Sequence, residues 1–145
     1  MSDSPPPALE IAYIALGANI GAREEFLANA RALIAALPAS RLLAESAIEE
    51  TAPIGSLPQC NYLNQMVALE TAMTPQALLE HLLRIERTLG RERGEQRWGP
   101  RTIDLDIVRF GTHVVSSERL TVPHPQLPNR DFWKRELIEL RGDWR

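Results

Sequence analysis

The residues of this chain that are best suited to chemistry lie in the segment Arg97–Val108, where two arginines and a tryptophan precede an Asp-x-Asp pair. After the turn predicted at Gly99-Pro100, apolar residues alternate with polar ones at the period of a β-strand. Side chains two positions apart on a strand share a face, so Asp104 and Asp106 are predicted to point the same way. Two such carboxylates repel each other unless a cation lies between them. Mg²⁺ binds carboxylate oxygens of this kind together with substrate phosphates.

A plainer interpretation is an exposed strand face whose charges are solvated, and for an isolated Asp-x-Asp pair that interpretation is favoured. The arginines just before the pair, Arg97 and Arg101, change the balance, because guanidinium groups bind phosphates through paired hydrogen bonds. We therefore predict a metal–phosphate site at Asp104 and Asp106. The chain has no Gly-x-x-x-x-Gly-Lys-Ser/Thr loop and no protein-kinase motif set, so a nucleotide would have to be held by other means.

The composition is that of one globular domain, with 145 residues of which 44% are apolar and 24% charged. A formal net charge of −3 argues against a nucleic-acid binder that neutralises many phosphates. The single cysteine, Cys60, excludes an internal disulfide and a cysteine-based zinc site. No apolar run is long enough to span a bilayer, and the proline-rich residues 1–10 lack the features of a secretory signal. We expect a disordered lead over 1–10, a single domain over 11–145, and a cytoplasmic monomer that binds neither nucleic acid nor membranes.

The elements that must position the site follow from hydrophobic periodicity and from helix and turn signals. The predicted strands are Ile11–Leu16, Leu42–Thr51, Tyr62–Thr71 and Ile103–Phe110, and the predicted helices are Glu24–Leu37 and one from Thr74-Pro75 to Gly90. The order β-α-β-β-α-β is that of a ferredoxin-like α+β sandwich, an antiparallel sheet with both helices on one face. A hairpin over 112–122 and a short helix over 129–140 should follow. Long loops are predicted at 52–61 and 91–102.

The segment Arg97–Ile107 (RWGPRTIDLDI) resembles the signature of 6-hydroxymethyl-7,8-dihydropterin pyrophosphokinase, an enzyme family of folate synthesis. Three further segments extend the resemblance: Ala15–Asn19, Tyr62–Asn64 and Glu118–His124. It implies an enzyme that transfers diphosphate from ATP, its co-substrate, to the hydroxymethyl group of a reduced pterin and releases AMP.

The resemblance also implies roles for individual residues. Arg93 and Arg101 join Asp104 and Asp106 as catalytic residues, and the two aspartates are expected to hold two Mg²⁺ ions. The implied nucleotide-binding residues are Glu86, Arg91, Trp98, Ile107, Arg119, Thr121, His124 and Arg130. The residues implied for the pterin pocket are Thr51, Ala52, Ile54 and Phe132. Arg91 and Arg93 are assigned to a mobile loop whose closure would exclude water.

Tyr62 and Asn64 are two positions apart on a predicted strand and therefore share a face. This spacing is ordinary strand alternation in one interpretation and a pocket for a flat heteroaromatic ring in the other. An asparagine amide donates and accepts at once, which matches the amide-like edge of a pterin. Two features depart from the family pattern: Ala52, where many relatives have proline, and Trp133–Leu140, where relatives continue with an apolar Pro-Leu segment. Two alternatives stay open, a paralogue acting on another reduced pterin alcohol and a non-catalytic module that binds nucleotide or pterin.

Overall fold

An antiparallel sheet forms the centre of the molecule. The structure is a computed structural model that describes residues 8–19, 21–52, 61–92 and 103–141. Its elements are, in chain order, β1 (Glu10–Ala18), α1 (Arg23–Ala35), β2 (Ser40–Glu45), β3 (Glu49–Thr51), β4 (Tyr62–Thr71), α2 (Pro75–Glu92), β5 (Asp104–Phe110), β6 (Val115–Ser116), β7 (Thr121–Val122) and α3 (Asp131–Arg141). The sheet order is β2-β4-β1-β5, with β3 also paired to β4, and every pairing is antiparallel. This arrangement confirms the ferredoxin-like α+β fold.

Helices α1 and α2 cover one face of the sheet, as predicted. Ile14 of β1 and Val67 of β4 lie in one hydrophobic core with Leu27 of α1 and Leu82 of α2. All four side chains are buried. The alternating apolar residues of the central strands therefore fix which face the two helices cover.

Helix α3 covers the opposite face, where it forms a second core. Its inward residues Trp133, Leu137 and Leu140 pack with Ala15 of β1 and Met66 of β4. The helix begins at Asp131, directly after a 3-10 turn, which confirms the short C-terminal helix expected over 129–140. The first turn of α3 thereby reaches the end of β1, beside the cavity described below.

The prediction of a single strand over 42–51 is wrong, because this segment forms two strands with a break at residues 46–48. Ser46 is buried, its N–H donates to the Met66 carbonyl, and its Oγ accepts the Met66 N–H. The side chain of Gln65 donates to the Ser46 carbonyl. Three residues, 46–48, stand opposite two residues of β4, 65 and 66, so the chain has to bulge at this point.

Helix α2 begins as predicted and ends later than predicted. Thr74 caps its start, since Thr74 Oγ1 accepts the N–H of Ala77 at 3.1 Å and Pro75 is the first helical residue. The expected end at Gly90 is wrong, because the helix continues to Glu92. Gly90 is buried, and packing there outweighs the roughly 1 kcal/mol of helix propensity that glycine lacks.

The hairpin predicted over 112–122 is confirmed by the pairing of β6 with β7. No helix within the described ranges is long and apolar enough to cross a membrane. Residues 1–7, 53–60 and 93–102 carry the predicted lead and most of the two long loops, and they lie outside the described residues.

Candidate active site

Three neighbouring strands present Asn64, Gly17 and Asp104 side by side. Gly17 of β1 is paired with Asn64 of β4 on one side and with Asp104 of β5 on the other. Two strand spacings, about 10 Å, therefore separate the backbone of Asn64 from that of Asp104. Because glycine has no side chain, the floor between them is open.

A cavity of about 180 Å³ lies over this row. The predicted pterin residues that line it are Thr51, Ala52, Tyr62, Asn64 and Phe132. The predicted ionic residues that line it are Asp104, Asp106 and Arg130. Pockets for drug-sized ligands measure roughly 300–1,000 Å³, so this cavity suits one small ring system.

The side-chain amide of Asn64 is buried, and one of its N–H groups is already hydrogen-bonded to Thr51. Its Nδ2 donates to Thr51 Oγ1 at 2.6 Å, across the pairing of β3 with β4. A Cβ added at Gly17 would lie 3.4 Å from Asn64 Oδ1 and 3.8 Å from Tyr62 Cδ1. The absence of a side chain at residue 17 thus leaves space directly against the amide oxygen and the tyrosine ring.

The alternation predicted for the Asp-x-Asp strand is confirmed. Leu105 and Ile107 are buried in the core beneath α1 and α2, whereas Asp104 and Asp106 are partly exposed on the other face. Both carboxylates line the cavity. The fold therefore keeps two like charges close together on one strand face, an arrangement that a cation between them would stabilise.

His124 lies against the Asp106 end of the pair. Its Nε2 is 3.7 Å from Asp106 Oδ1, and its Nδ1 accepts the backbone N–H of Gln126 at 3.0 Å. An accepting Nδ1 fixes the neutral tautomer, with the proton on Nε2 facing the carboxylate. Burial lowers the pKa of His124, Asp106 opposes this shift, and the guanidinium of Arg130 adds to it. The imidazole is thus a neutral hydrogen-bond donor beside the acidic pair at pH 7.

The donor set at the pair fits Mg²⁺. Within the described residues, no group of three or more His, Cys, Asp and Glu side chains is arranged to hold a metal ion. Zn²⁺ requires three or four protein ligands, whereas Mg²⁺ is bound by one or two carboxylates with phosphates and water completing its shell. Asp104 and Asp106 therefore suit a Mg²⁺ ion that is shared with a phosphate chain.

Glu86 supports the aspartate strand from its outer edge. Among the described residues, strand β5 is the last in the sheet order, so N–H groups on its outer side are not paired with a further strand of this sheet. Glu86 Oε2 accepts one of them, the N–H of Leu105, at 2.8 Å. Glu86 was predicted as a nucleotide-binding residue, and the structure gives it this contact with the backbone between the two aspartates.

Other predicted nucleotide residues lie away from the cavity. Arg119 forms an ion pair with Glu80 at 2.6 Å, in a groove between α2 and the hairpin. Thr121 is exposed on β7, and the side chain of Ile107 is in the core, which leaves only its backbone for a ligand. The predicted residues Ile54, Arg93, Trp98 and Arg101 lie outside the described residues, as does the side chain of Arg91.

Four residues that line the cavity were not predicted as site residues: Ala15, Leu16, Gly17 and Trp133. Gly17 belongs, with Ala15 and Leu16, to the segment Ala15–Asn19 that extends the family resemblance, but this signal does not say which residues lie beside the glycine in the sheet. Trp133 is marked in the sequence as an aromatic residue directly after Phe132, in the segment that departs from the family pattern.

The part of the chain that is similar to known proteins includes every residue that lines this cavity. Residues 13–142 match the family model described as 7,8-dihydro-6-hydroxymethylpterin-pyrophosphokinase (HPPK). The 2-amino-4-hydroxy-6-hydroxymethyldihydropteridine pyrophosphokinase of Bacillus subtilis (strain 168) is 46% identical over 130 residues, which is 90% of this chain and 77% of that protein. Proteins of the same name from Methylorubrum extorquens and Haemophilus influenzae are 45% and 40% identical, over 91% of this chain and 83% and 82% of their own lengths.

Proposed function

This chain belongs to the 7,8-dihydro-6-hydroxymethylpterin-pyrophosphokinase family, as its signature segment indicated, and we propose that it transfers diphosphate from ATP to 6-hydroxymethyl-7,8-dihydropterin. The hydroxymethyl oxygen attacks the β-phosphorus of ATP in line. The bond from that phosphorus to the oxygen bridging to the α-phosphorus breaks, and AMP leaves. The hydroxyl proton passes to solvent.

The observation that carries this proposal is the open floor at Gly17 between Asn64 and Asp104. A pterin whose amide-like edge meets Asn64 would extend toward the aspartates across two strand spacings, about 10 Å. A two-ring compound with one hydroxymethyl substituent spans most of that distance. Its hydroxyl group would then arrive beside the carboxylates that face the phosphates.

The ring side of the cavity supplies both polar and apolar contacts. One N–H of the Asn64 amide donates to Thr51, so its second N–H and its oxygen are the groups we assign to the pterin edge. Tyr62 and Phe132 line the same cavity from β4 and α3 and would cover the faces of the ring. Burial of a flat ring between these side chains accounts for recognition without a charged partner.

The phosphate side supplies charge. Asp104 and Asp106 would hold Mg²⁺, with two ions expected, and bound Mg²⁺ would neutralise the charge that develops on the transferred phosphoryl oxygens. Arg130 lines the cavity on this side and would bind phosphate oxygens. The family resemblance assigns the same role to Arg91, Arg93 and Arg101. We assign no general base, since positioning and electrostatics supply most of the acceleration in phosphoryl transfer.

Release of AMP from ATP and Mg²⁺ in the presence of a small panel of reduced pterins tests this function. AMP should form only with a pterin alcohol, and fastest with the 6-hydroxymethyl compound. The Asp106→Asn variant is the matched control, because it keeps the fold and the size of the side chain while removing the negative charge.

Three results would contradict the proposal in different ways. Formation of ADP, or of AMP without pterin, would indicate another phosphoryl-transfer reaction. A clear preference for a different pterin alcohol would favour the paralogue hypothesis, which the altered segment after Phe132 keeps open. Binding of both ligands without turnover would indicate a non-catalytic binding module. Sedimentation of the protein with and without the ligands checks the accompanying expectation of a monomer.

A further inference from the structure

Trp133 lies where the two sides of the cavity meet. It is only 2% exposed, yet its ring forms part of the cavity wall. The guanidinium carbon of Arg130 is 4.4 Å from the centroid of the Trp133 ring. The His124 ring meets it edge-on, with centroids 4.9 Å apart at 82°. Phe132 is its neighbour on the pterin side, with centroids 6.1 Å apart at 68°.

We propose that Trp133 is a positioning residue for the diphosphate transfer, holding Arg130 and His124 at the phosphate side of the cavity before ATP binds. This inference rests on the proposed function. A guanidinium that lies over an aromatic face is held there by cation–π attraction, and those of its N–H groups that point away from the ring can still bind a phosphate. The edge-on contact similarly limits rotation of the His124 ring, whose Nε2 faces Asp106.

The rest of α3 fixes the indole in place. Trp133 shares the inner face of the helix with Leu137 and Leu140, and all three pack against Ala15 and Met66 of the sheet. The backbone N–H of Trp133 also donates to the backbone carbonyl of Arg130 at 3.1 Å, which closes the turn that carries the arginine. The ring is therefore rigid, and Arg130 loses less conformational freedom on binding a phosphate than an unrestrained side chain would.

The alternative is that Trp133 is an ordinary core residue of α3, and a double-mutant cycle separates the two roles. Trp133→Leu should lower kcat/KM for ATP about tenfold in the otherwise unchanged enzyme, the size expected for a partly desolvated cation–π contact. In an Arg130→Ala background the same change should cost about twofold or less, because the cation–π contact is already gone and only the edge-on contact with His124 is left to lose. Trp133→Phe should be intermediate, since phenylalanine keeps a weaker aromatic face and disturbs the core less.

Leu137→Ala is the matched control, as it removes a buried side chain of the same helix and the same core. Its effect on kcat/KM should be the same with and without Arg130. The cycle is repeated with the dissociation constant of a non-hydrolysable ATP analogue in the presence of Mg²⁺, which requires no turnover. Equal effects of Trp133→Leu in both backgrounds would overturn the positioning role. Loss of pterin-dependent AMP release in the unchanged enzyme would overturn the proposed function instead.

Discussion

Replacing Glu136 by glutamine should stabilise the folded protein at neutral pH, although the change removes an ionisable side chain. Glu136 is 3% exposed and lies on the inner face of α3. Among the described residues, neither of its carboxylate oxygens has a hydrogen-bond partner. Burial raises the pKa of Glu136 to about 8, and Glu49 and Glu139 add to this shift while Arg135 opposes it.

The size of the effect follows from the difference between the folded and unfolded pKa values. The ordinary value is 4.5 and the folded value about 8. Each pKa unit corresponds to about 1.4 kcal/mol, so the ionised side chain costs the folded state about 5 kcal/mol once it is fully charged. Below pH 4.5 both states are protonated and this cost is absent. Between pH 4.5 and 8 the unfolded state releases a proton that the folded state keeps, so stability falls as pH rises.

The raised pKa of Glu136 lowers the free energy of unfolding by about 3 kcal/mol at pH 7 and by about 1 kcal/mol at pH 5. The Glu136→Gln variant buries a similar neutral polar group but cannot ionise. Its free energy of unfolding should therefore exceed that of the unchanged protein by about 1 kcal/mol at pH 5 and by about 3 kcal/mol at pH 7. Glu136→Met also removes the unsatisfied polar group, so we expect a further gain at every pH.

Urea unfolding followed by circular dichroism from pH 5 to pH 9 measures these differences. Glu139→Gln is the matched control, because Glu139 lies on the same helix but is exposed, with one oxygen accepting the Ala47 N–H at 2.9 Å. Its curve should keep most of the pH dependence of the unchanged protein, because burial, the main cause of the raised pKa of Glu136, stays and only the smaller contribution of the Glu139 charge is lost. Parallel curves for the Glu136→Gln variant and the unchanged protein over this range would refute the reasoning, since they would mean that Glu136 ionises as readily in the folded state as in the unfolded one.

Three further substitutions test the site itself. Asp106→Asn should remove nearly all turnover while leaving the melting temperature without Mg²⁺ unchanged or slightly raised, because it relieves the repulsion within the carboxylate pair; near-normal AMP release would contradict the metal assignment. Asn64→Leu should weaken pterin binding steeply, at about 1–3 kcal/mol for each polar group left unpaired, while calorimetric titration with a non-hydrolysable ATP analogue should barely change; equal losses for both ligands would contradict separate subsites. Arg93→Ala should lower kcat roughly a hundredfold, or about 3 kcal/mol, with little loss of ground-state ATP affinity, as rapid-quench and equilibrium binding measurements can show; equal losses in both would make it a simple anchor.

Several parts of this protein could be predicted from the sequence because they depend on neighbours along the chain. The period of two in a strand places Asp104 and Asp106 on one face, and the structure has them there. The pair Thr74-Pro75 predicts the start of α2, because the cap and the fixed backbone act within one helical turn. The signature segment identified the family, which the comparisons confirm.

The prediction was wrong where a distant part of the chain overrides a local pattern. Residues 42–51 have the composition of one strand, but the hydrogen bonds of Ser46 with Met66 divide it in two. Gly90 is a typical helix end, yet burial carries α2 beyond it. In both cases the deciding contact is not visible in the local sequence, because it is set by long-range packing.

The sequence by itself determined which residues could act, and only the tertiary structure decided how they meet. Gly17 lies between Asn64 and Asp104 because of the register of β1 with β4 and β5, and register is a property of strand pairing that no single segment encodes. The position of α3 on the face opposite to α1 and α2 likewise brings Trp133 to Arg130 and His124. A helix pattern defines an apolar face, but the sheet surface on which that face is buried is chosen by the packing of the whole chain.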